Sequence, residues 1–404
     1  MADFKVKGPL NGIKVIDFTI ALAGAYTAWQ FADLGAEVWK IERDGVGDQA
    51  RYWEPTSPGM STLFVSYNKN KQSIEINLGS DEGKQIIYDM VKQADVVLEN
   101  FKGGSIDRLG LGYDKLKEIN PKIVFLSLSG FGGTGPLQKY PCYDAIAEAR
   151  GGFAGSSGEA DGVPMKVGSS ICDIHTGQYA MCAALMAMVD ARRTGKGCRI
   201  DIAMTDVAMQ SCEETLMDYG VHGEAQARFG DHDRFIAPYG MFEARDGFVI
   251  IIADTEERWA TMCDKLGLEA LKSDPRFATN ADRIANKDAL VKEIEAVTVG
   301  LRRQAIEDLL LPADVPSSSV LSFIEAYTAN HSNEIGLTQV QDQAKLGKFR
   351  FYRNSLKFNN EALMVESGAP LLGEHTESIL KEVGYTDEQI KEMFDNGIVC
   401  STLI

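Results

Sequence analysis

Between residues 12 and 128 this chain alternates short apolar runs with helix-like stretches, and that alternation limits the available folds more than any other feature. Runs at 12–18, 37–41, 72–78, 95–98 and 122–128 are rich in Val, Ile, Leu and Phe and read as strands. Between them, 23–34 (closed by Gly35), 81–93 and 113–119 carry helical spacing. Strands separated by helices predict a parallel sheet covered on both faces. A long helix over 174–193 and a strand over 198–203 extend the pattern. Further on, 241–245 and 248–252 flank Asp246-Gly247, a strong hairpin signal, and helices follow at 256–266 and 287–301. These predict a smaller α+β domain. Charged residues at 213–234 read as a crossing segment, 328–347 as a polar connection, and 377–383 and 387–396 as two short helices.

Composition narrows the function. Lys and Arg number 41 and Asp and Glu 58, giving a net charge of −17 over 404 residues. Such a field repels nucleic acid and anionic membranes, so an anionic ligand must be met by local cations or helix N-termini. Seven cysteines show no CxxC spacing, which fits reduced thiols and a cytoplasmic address. Residues 1–7 lack an apolar core, so no signal peptide is expected, and no uncharged apolar run reaches spanning length.

Asp173 stands just before an Ala- and Met-rich run that ends in Arg192-Arg193-Thr194-Gly195. Cations in the last turn and a glycine beyond it are helix-stop signals. At the other end, a carboxylate beside free helix amides should stay ionised, and by spacing alone an N-cap aspartate is its commonest role. Cys172 and His175 invite a thiol–base reading, although such pairs usually come from distant parts of a chain. The first β-α-β unit lacks G-x-G-x-x-G, so Glu42 does not make a dinucleotide site. The glycine-rich stretches 129–136 and 151–158 are either flexible turns or places of close backbone approach, and neither contains a P-loop lysine. His222, His232, His331 and His375 show no metal-ligand spacing, and His375 suits a helix start.

Eight segments taken in order resemble the class III CoA-transferases, the formyl-CoA transferase/CaiB/BaiF-like family. They are 10–19, 35–43, 68–75, 94–101, 107–110, 130–136, 193–197 and 370–376. The resemblance implies an α/β fold: a large domain with a Rossmann-like parallel sheet and a smaller α+β domain, in an interlocked, ring-shaped homodimer. It divides the chain into a large domain (1–205), a linker (206–234), the small domain (235–320), a second linker (321–347) and a C-terminal part (348–404) that completes the large domain. It makes Asp173 the catalytic carboxylate, which passes through aspartyl-acyl anhydride and aspartyl-CoA thioester intermediates. It also places Ile20, Ala21, Leu22, Ala23, Arg43, Ile76, Asn100, Phe101 and Arg108 at coenzyme A and Tyr143 near the acyl end. The substrates implied are an acyl-CoA and a carboxylic acid, with no tightly bound cofactor and no metal. Formyl-CoA transferases tend to carry His and Gln where this chain has Ile20 and Leu22, and a lysine near Gly79; a glycine tetrad is replaced by 234–239. An apolar first loop suits a larger or less polar acyl group. The alternative on the same fold is an α-methylacyl-CoA racemase, which needs a histidine where Tyr143 stands.

Overall fold

A computed structural model describes residues 8–57, 59–223, 228, 230–329 and 334–404. Residues 1–7, His331 and part of each expected linker lie outside this set. Two compact units emerge, one formed by 1–153, 166–217 and 333–404, the other by 154–165 and 218–332.

The first unit is built on a seven-stranded sheet. Its strands are β1 (Lys14–Asp17), β2 (Glu37–Arg43), β3 (Gln72–Ile76), β4 (Val96–Glu99), β5 (Val124–Ser129), β6 (Arg199–Ala203) and β7 (Val399–Cys400). Their spatial order is β7-β3-β2-β1-β4-β5-β6, parallel throughout except for β7, which runs antiparallel to β3. Strand side chains alternate between faces. Val15, Val38, Val96 and Val124 join the cluster beneath the helices Ala23–Asp33 and Ile171–Thr194. Ile16, Trp39, Val97 and Phe125 join the cluster on the opposite face, under the helices Asp81–Val91, Thr376–Val383 and Asp387–Asp395. Burial on both faces explains why these strands read as nearly continuous apolar runs. Apart from β7, the order is that of a doubly wound sheet, with its switch point between β1 and β4.

Some expectations shift. The stretch 213–234, read as a crossing segment, contains the helix Glu213–His222. Residues 206–217, read as linker, lie with the first unit, and Thr338–Gln343 pairs with Gly347–Tyr352 in a hairpin where a polar connection was expected. In the second unit, Tyr239–Ala244, Gly247–Ile252 and Ser317–Ser319 form an antiparallel sheet. Phe242, Val249, Trp259, Phe277 and Ile294 anchor its separate core. No described helix is long and apolar enough to cross a membrane.

Candidate active site

The carboxyl ends of β1, β4 and β5 open onto a cavity of about 830 Å³, at the switch point where such sheets bind ligands. Its walls include Ile20 to Ala23 after β1, Asn100 and Phe101 after β4, Ser129 to Phe131 after β5, and Asp173. All of these belong to the first unit.

The loop after β1 is held from both sides. Ile20 N–H donates to Asn100 Oδ1 at 2.8 Å, and Asn100 Nδ2 returns a bond to Ile20 O at 2.7 Å. Ala21 adopts φ +63°, a left-handed conformation costly for a residue with a Cβ, so its neighbours must enforce it. Its N–H reaches Asp48 Oδ1 at 3.3 Å. Lys40, fully buried in β2, donates to Thr19 O at 2.8 Å and to Asp48 Oδ2 at 3.0 Å. Burial opposes the charge on Lys40, but Asp48, Asp17 and Glu42 outweigh it and hold its pKa above the usual lysine value. An ammonium framed by carboxylates thus anchors the loop that leads into the helix Ala23–Asp33.

Asp173 occupies the third position of the helix Ile171–Thr194, which corrects the N-cap reading. Ser170 is the N-cap and makes no side-chain cap bond. The cap comes from Asp144, whose Oδ1 accepts the N–H groups of Cys172 at 2.8 Å and Asp173 at 3.1 Å. Asp144 therefore consumes the free amides that were expected to favour an ionised Asp173. Burial first, and the Asp144 charge second, push Asp173 up to about 7, while the neighbouring Ala23 N–H pulls the other way. The expectation of a firmly ionised group is overturned for that reason. What results is a desolvated, comparatively basic carboxylate set between two helix N-termini.

Gly177 permits this arrangement. A Cβ there would meet Tyr26 Cδ1 at 2.7 Å and Ala23 O at 3.0 Å, so only glycine lets the two helices approach closely enough. Gly130 serves similarly in the glycine-rich loop, where a Cβ would lie 1.9 Å from Cys142 Cβ. Close approach, rather than simple flexibility, is its role. At the far end Gly195 takes φ +75° and its N–H caps Ala191 O, as the stop signals predicted.

Not every residue carried over by resemblance reaches the cavity. Ile20, Ala21, Leu22, Ala23, Asn100, Phe101, Tyr143 and Asp173 line it. Ile76 is corrected: its side chain is wholly buried among Ile41, Ile74 and Leu380 and has no surface to offer a ligand. Arg43 is exposed at the end of β2 and is absent from the walls. Arg108 is also outside them, donating to Ser105 Oγ at 2.8 Å, although Ser105 and Leu109 on either side line the cavity. Sequence reasoning missed Lys102 and Lys166, the cations among the lining residues, together with Asp144. A lysine inside a strand otherwise buried on both faces was a readable signal for Lys40; for Lys102 and Lys166 there was none.

The thiol–base reading fails on geometry and chemistry. Cys172 is buried and pushed up to about 12, by burial first and by Asp144 next, while His175 Nδ1 pairs with Ser211 Oγ at 2.9 Å. No histidine appears among the described lining residues, and Tyr143 stands where the racemase reading needs one. His375 is the N-cap residue of the helix Thr376–Val383 but makes no side-chain cap bond; its Nδ1 instead accepts the Ser73 N–H at 3.3 Å.

A family model described as CoA-transferase family III matches residues 10–376. The chain belongs to CoA-transferase family III. An acetyl-CoA:oxalate CoA-transferase of Acetobacter aceti is 38% identical over 323 residues, covering 80% of this chain and 83% of that protein. The human succinyl-CoA:glutarate CoA-transferase is 32% identical over 394 residues, covering 97% of this chain and 90% of that one. Among solved structures, a CAIB/BAIF family protein from Brucella suis superposes with a TM-score of 0.84 at 33% identity. That match covers 93% of this chain and all of the other. This family III member is a CoA-transferase, and its substrates are an acyl-CoA and a carboxylic acid.

Proposed function

We propose that this family III transferase moves coenzyme A between an acyl-CoA and a short dicarboxylic acid, with Asp173 as the covalent carrier. The supporting observation is the Asp173 carboxyl in the wall of the cavity, desolvated and facing the Ala23 N–H. In the first half-reaction, an Asp173 oxygen attacks the thioester carbonyl and CoA leaves as thiolate, giving a mixed anhydride. The thiolate then attacks the side-chain carbonyl of Asp173 and releases the donor acid, leaving an aspartyl-CoA thioester. The acceptor carboxylate repeats the two steps in reverse. One thioester replaces another, so the exchange is nearly balanced and needs no ATP. A pKa near 7 makes Asp173 a stronger nucleophile than an ordinary aspartate, yet still ionised in a useful fraction near neutral pH.

Two observations support a dicarboxylate acceptor. Oxalate and glutarate appear in the names of the relatives above, and Lys102 and Lys166 put cations into the cavity wall of an otherwise acidic protein. Coenzyme A would run past Ile20 to Ala23, Asn100 and Phe101. Exposed Arg43 and Arg108 suit its phosphates outside the cavity. A homodimer and a cytoplasmic location complete the proposal.

The test is chemical trapping. Enzyme turning over an acyl-CoA is quenched with hydroxylamine or borohydride and digested, and the peptide containing Asp173 should carry the hydroxamate or the reduced alcohol. An unmodified peptide under verified turnover would remove the covalent mechanism. A panel of mono- and dicarboxylic acceptors, run alongside, fixes the substrate class.

A further inference from the structure

We propose that the Thr176 hydroxyl is a catalytic donor which, with the Ala23 N–H, forms the oxyanion site for the side-chain carbonyl of acylated Asp173. The inference rests on the covalent role of Asp173 set out above. Thr176 is 1% exposed and lines the cavity. Its Oγ1 has no hydrogen-bond partner among the described residues. A threonine inside a helix ordinarily satisfies its hydroxyl on the carbonyl three or four residues back. Thr176 does not, and an unpaired buried hydroxyl is costly enough to call for an explanation.

Its position supplies one. Thr176 follows Asp173 by three residues on the same helix, which puts their Cβ atoms roughly 5–6 Å apart on one face. Helical side chains lean toward the N-terminus, so Thr176 covers the turn that carries Asp173. The adjoining Gly177 packs so tightly that an added Cβ would sit 3.0 Å from Ala23 O, which brings the start of the Ala23–Asp33 helix to the same spot. The Ala23 N–H lies near enough to the Asp173 carboxyl to favour its charged form. When CoA thiolate attacks the anhydride, a C–S bond forms at the Asp173 carbonyl carbon and negative charge gathers on its oxygen. The C–O bond to the donor acyl group then breaks, and its electron pair departs with the carboxylate. No proton is transferred, so two fixed donors are all the step requires. One is the Ala23 amide and the second is the Thr176 hydroxyl.

Thr176→Val keeps the shape and removes the donor, while Thr176→Ser keeps the donor. The proposal expects Thr176→Val to melt at or above the wild-type temperature, with KM little changed and kcat lower by about 10²-fold. Thr176→Ser should recover most of kcat. Hydroxylamine trapping at Asp173 is measured in all three proteins. A kcat for Thr176→Val within about twofold of wild type, with Asp173 still trapped, overturns the role of Thr176 and leaves the Asp173 mechanism standing. Equal losses in the Val and Ser variants together with lower melting temperatures assign Thr176 to packing and also overturn it. Absence of any wild-type adduct overturns the Asp173 mechanism itself, and the oxyanion Thr176 would serve goes with it.

Discussion

Gly177→Ala separates two opposing effects at the helix contact beside Asp173. Alanine inside a helix gains about 1 kcal/mol over glycine from backbone propensity alone. Against that, the new methyl would lie 2.7 Å from Tyr26 Cδ1, 3.0 Å from Ala23 O and 3.3 Å from Thr27 Oγ1. The Tyr26 ring and the Thr27 hydroxyl can shift, but Ala23 O is backbone and can retreat only if the whole helix Ala23–Asp33 moves. Overpacking of this kind costs about 1–3 kcal/mol. The net change is a loss of about 0–2 kcal/mol, and the transition of the first unit should fall by roughly 2–4 °C for each kcal/mol lost. Activity should suffer more than stability, because the same displacement carries the Ala23 N–H away from Asp173. Full loss of an oxyanion donor costs about 10²–10³ in kcat, so a partial withdrawal should cost at least about 10-fold. The assay is CoA exchange between an acyl-CoA and a carboxylic acid, read beside thermal melting. A Gly177→Ala enzyme that melts higher and turns over at the wild-type rate would refute the claim that this helix contact sets the site.

The raised Asp173 pKa makes two further predictions. Folding stabilises its protonated form, so wild-type stability contributed by this group falls as pH rises from about 4 toward about 7. Asp173→Asn lacks the titrating group, and its melting-temperature advantage over wild type should appear in that window and persist above it; an advantage independent of pH would contradict the assignment. In the proposed mechanism the ionised carboxylate attacks, so kcat/KM should decline below pH 7, and Asp144→Asn, which removes the nearby charge, should move that limb to lower pH. An unmoved limb would sever Asp144 from the tuning of Asp173. In the buried network, Lys71 Nζ donates to Asp17 Oδ2 at 3.0 Å, to Ala25 O and to Asn68 Oδ1. Lys71→Met should cost about 3–5 kcal/mol in denaturant unfolding by stranding the Asp17 carboxylate. A loss under about 1 kcal/mol would show that water or rearrangement reaches Asp17.

Local pattern carried the fold well where burial is two-sided. The helix Tyr113–Ile119 and the helix Glu256–Leu266 stand where their periodicity placed them, and the strand Glu37–Arg43 only gains Glu42 and Arg43 at its end. The hairpin Thr338–Gln343 with Gly347–Tyr352 escaped notice because its side chains are mostly polar, with Gln343 and Phe351 its buried members. Two-residue β7 has too little sequence to show any period. Motif and order singled out Asp173, which lies in the cavity wall, but its electrostatics depend on Asp144, 29 residues earlier, and on Ala23, which no local spacing connects to it. Ile76 shows the opposite limit. Family resemblance offered it as a ligand contact, and the register of β3 between β2 and β7 turned it into core.

The most direct test of covalent catalysis at Asp173 follows an oxygen atom. When an acceptor acid labelled with oxygen-18 in its carboxylate displaces CoA from the aspartyl thioester, one of its oxygens bridges to Asp173, and breakdown of that anhydride leaves the label on the aspartate. After many turnovers, the peptide containing Asp173 should gain the mass of oxygen-18 exchange, confined to that side chain. Label that stays entirely in the acid and its thioester while CoA exchange proceeds at full rate would contradict the account.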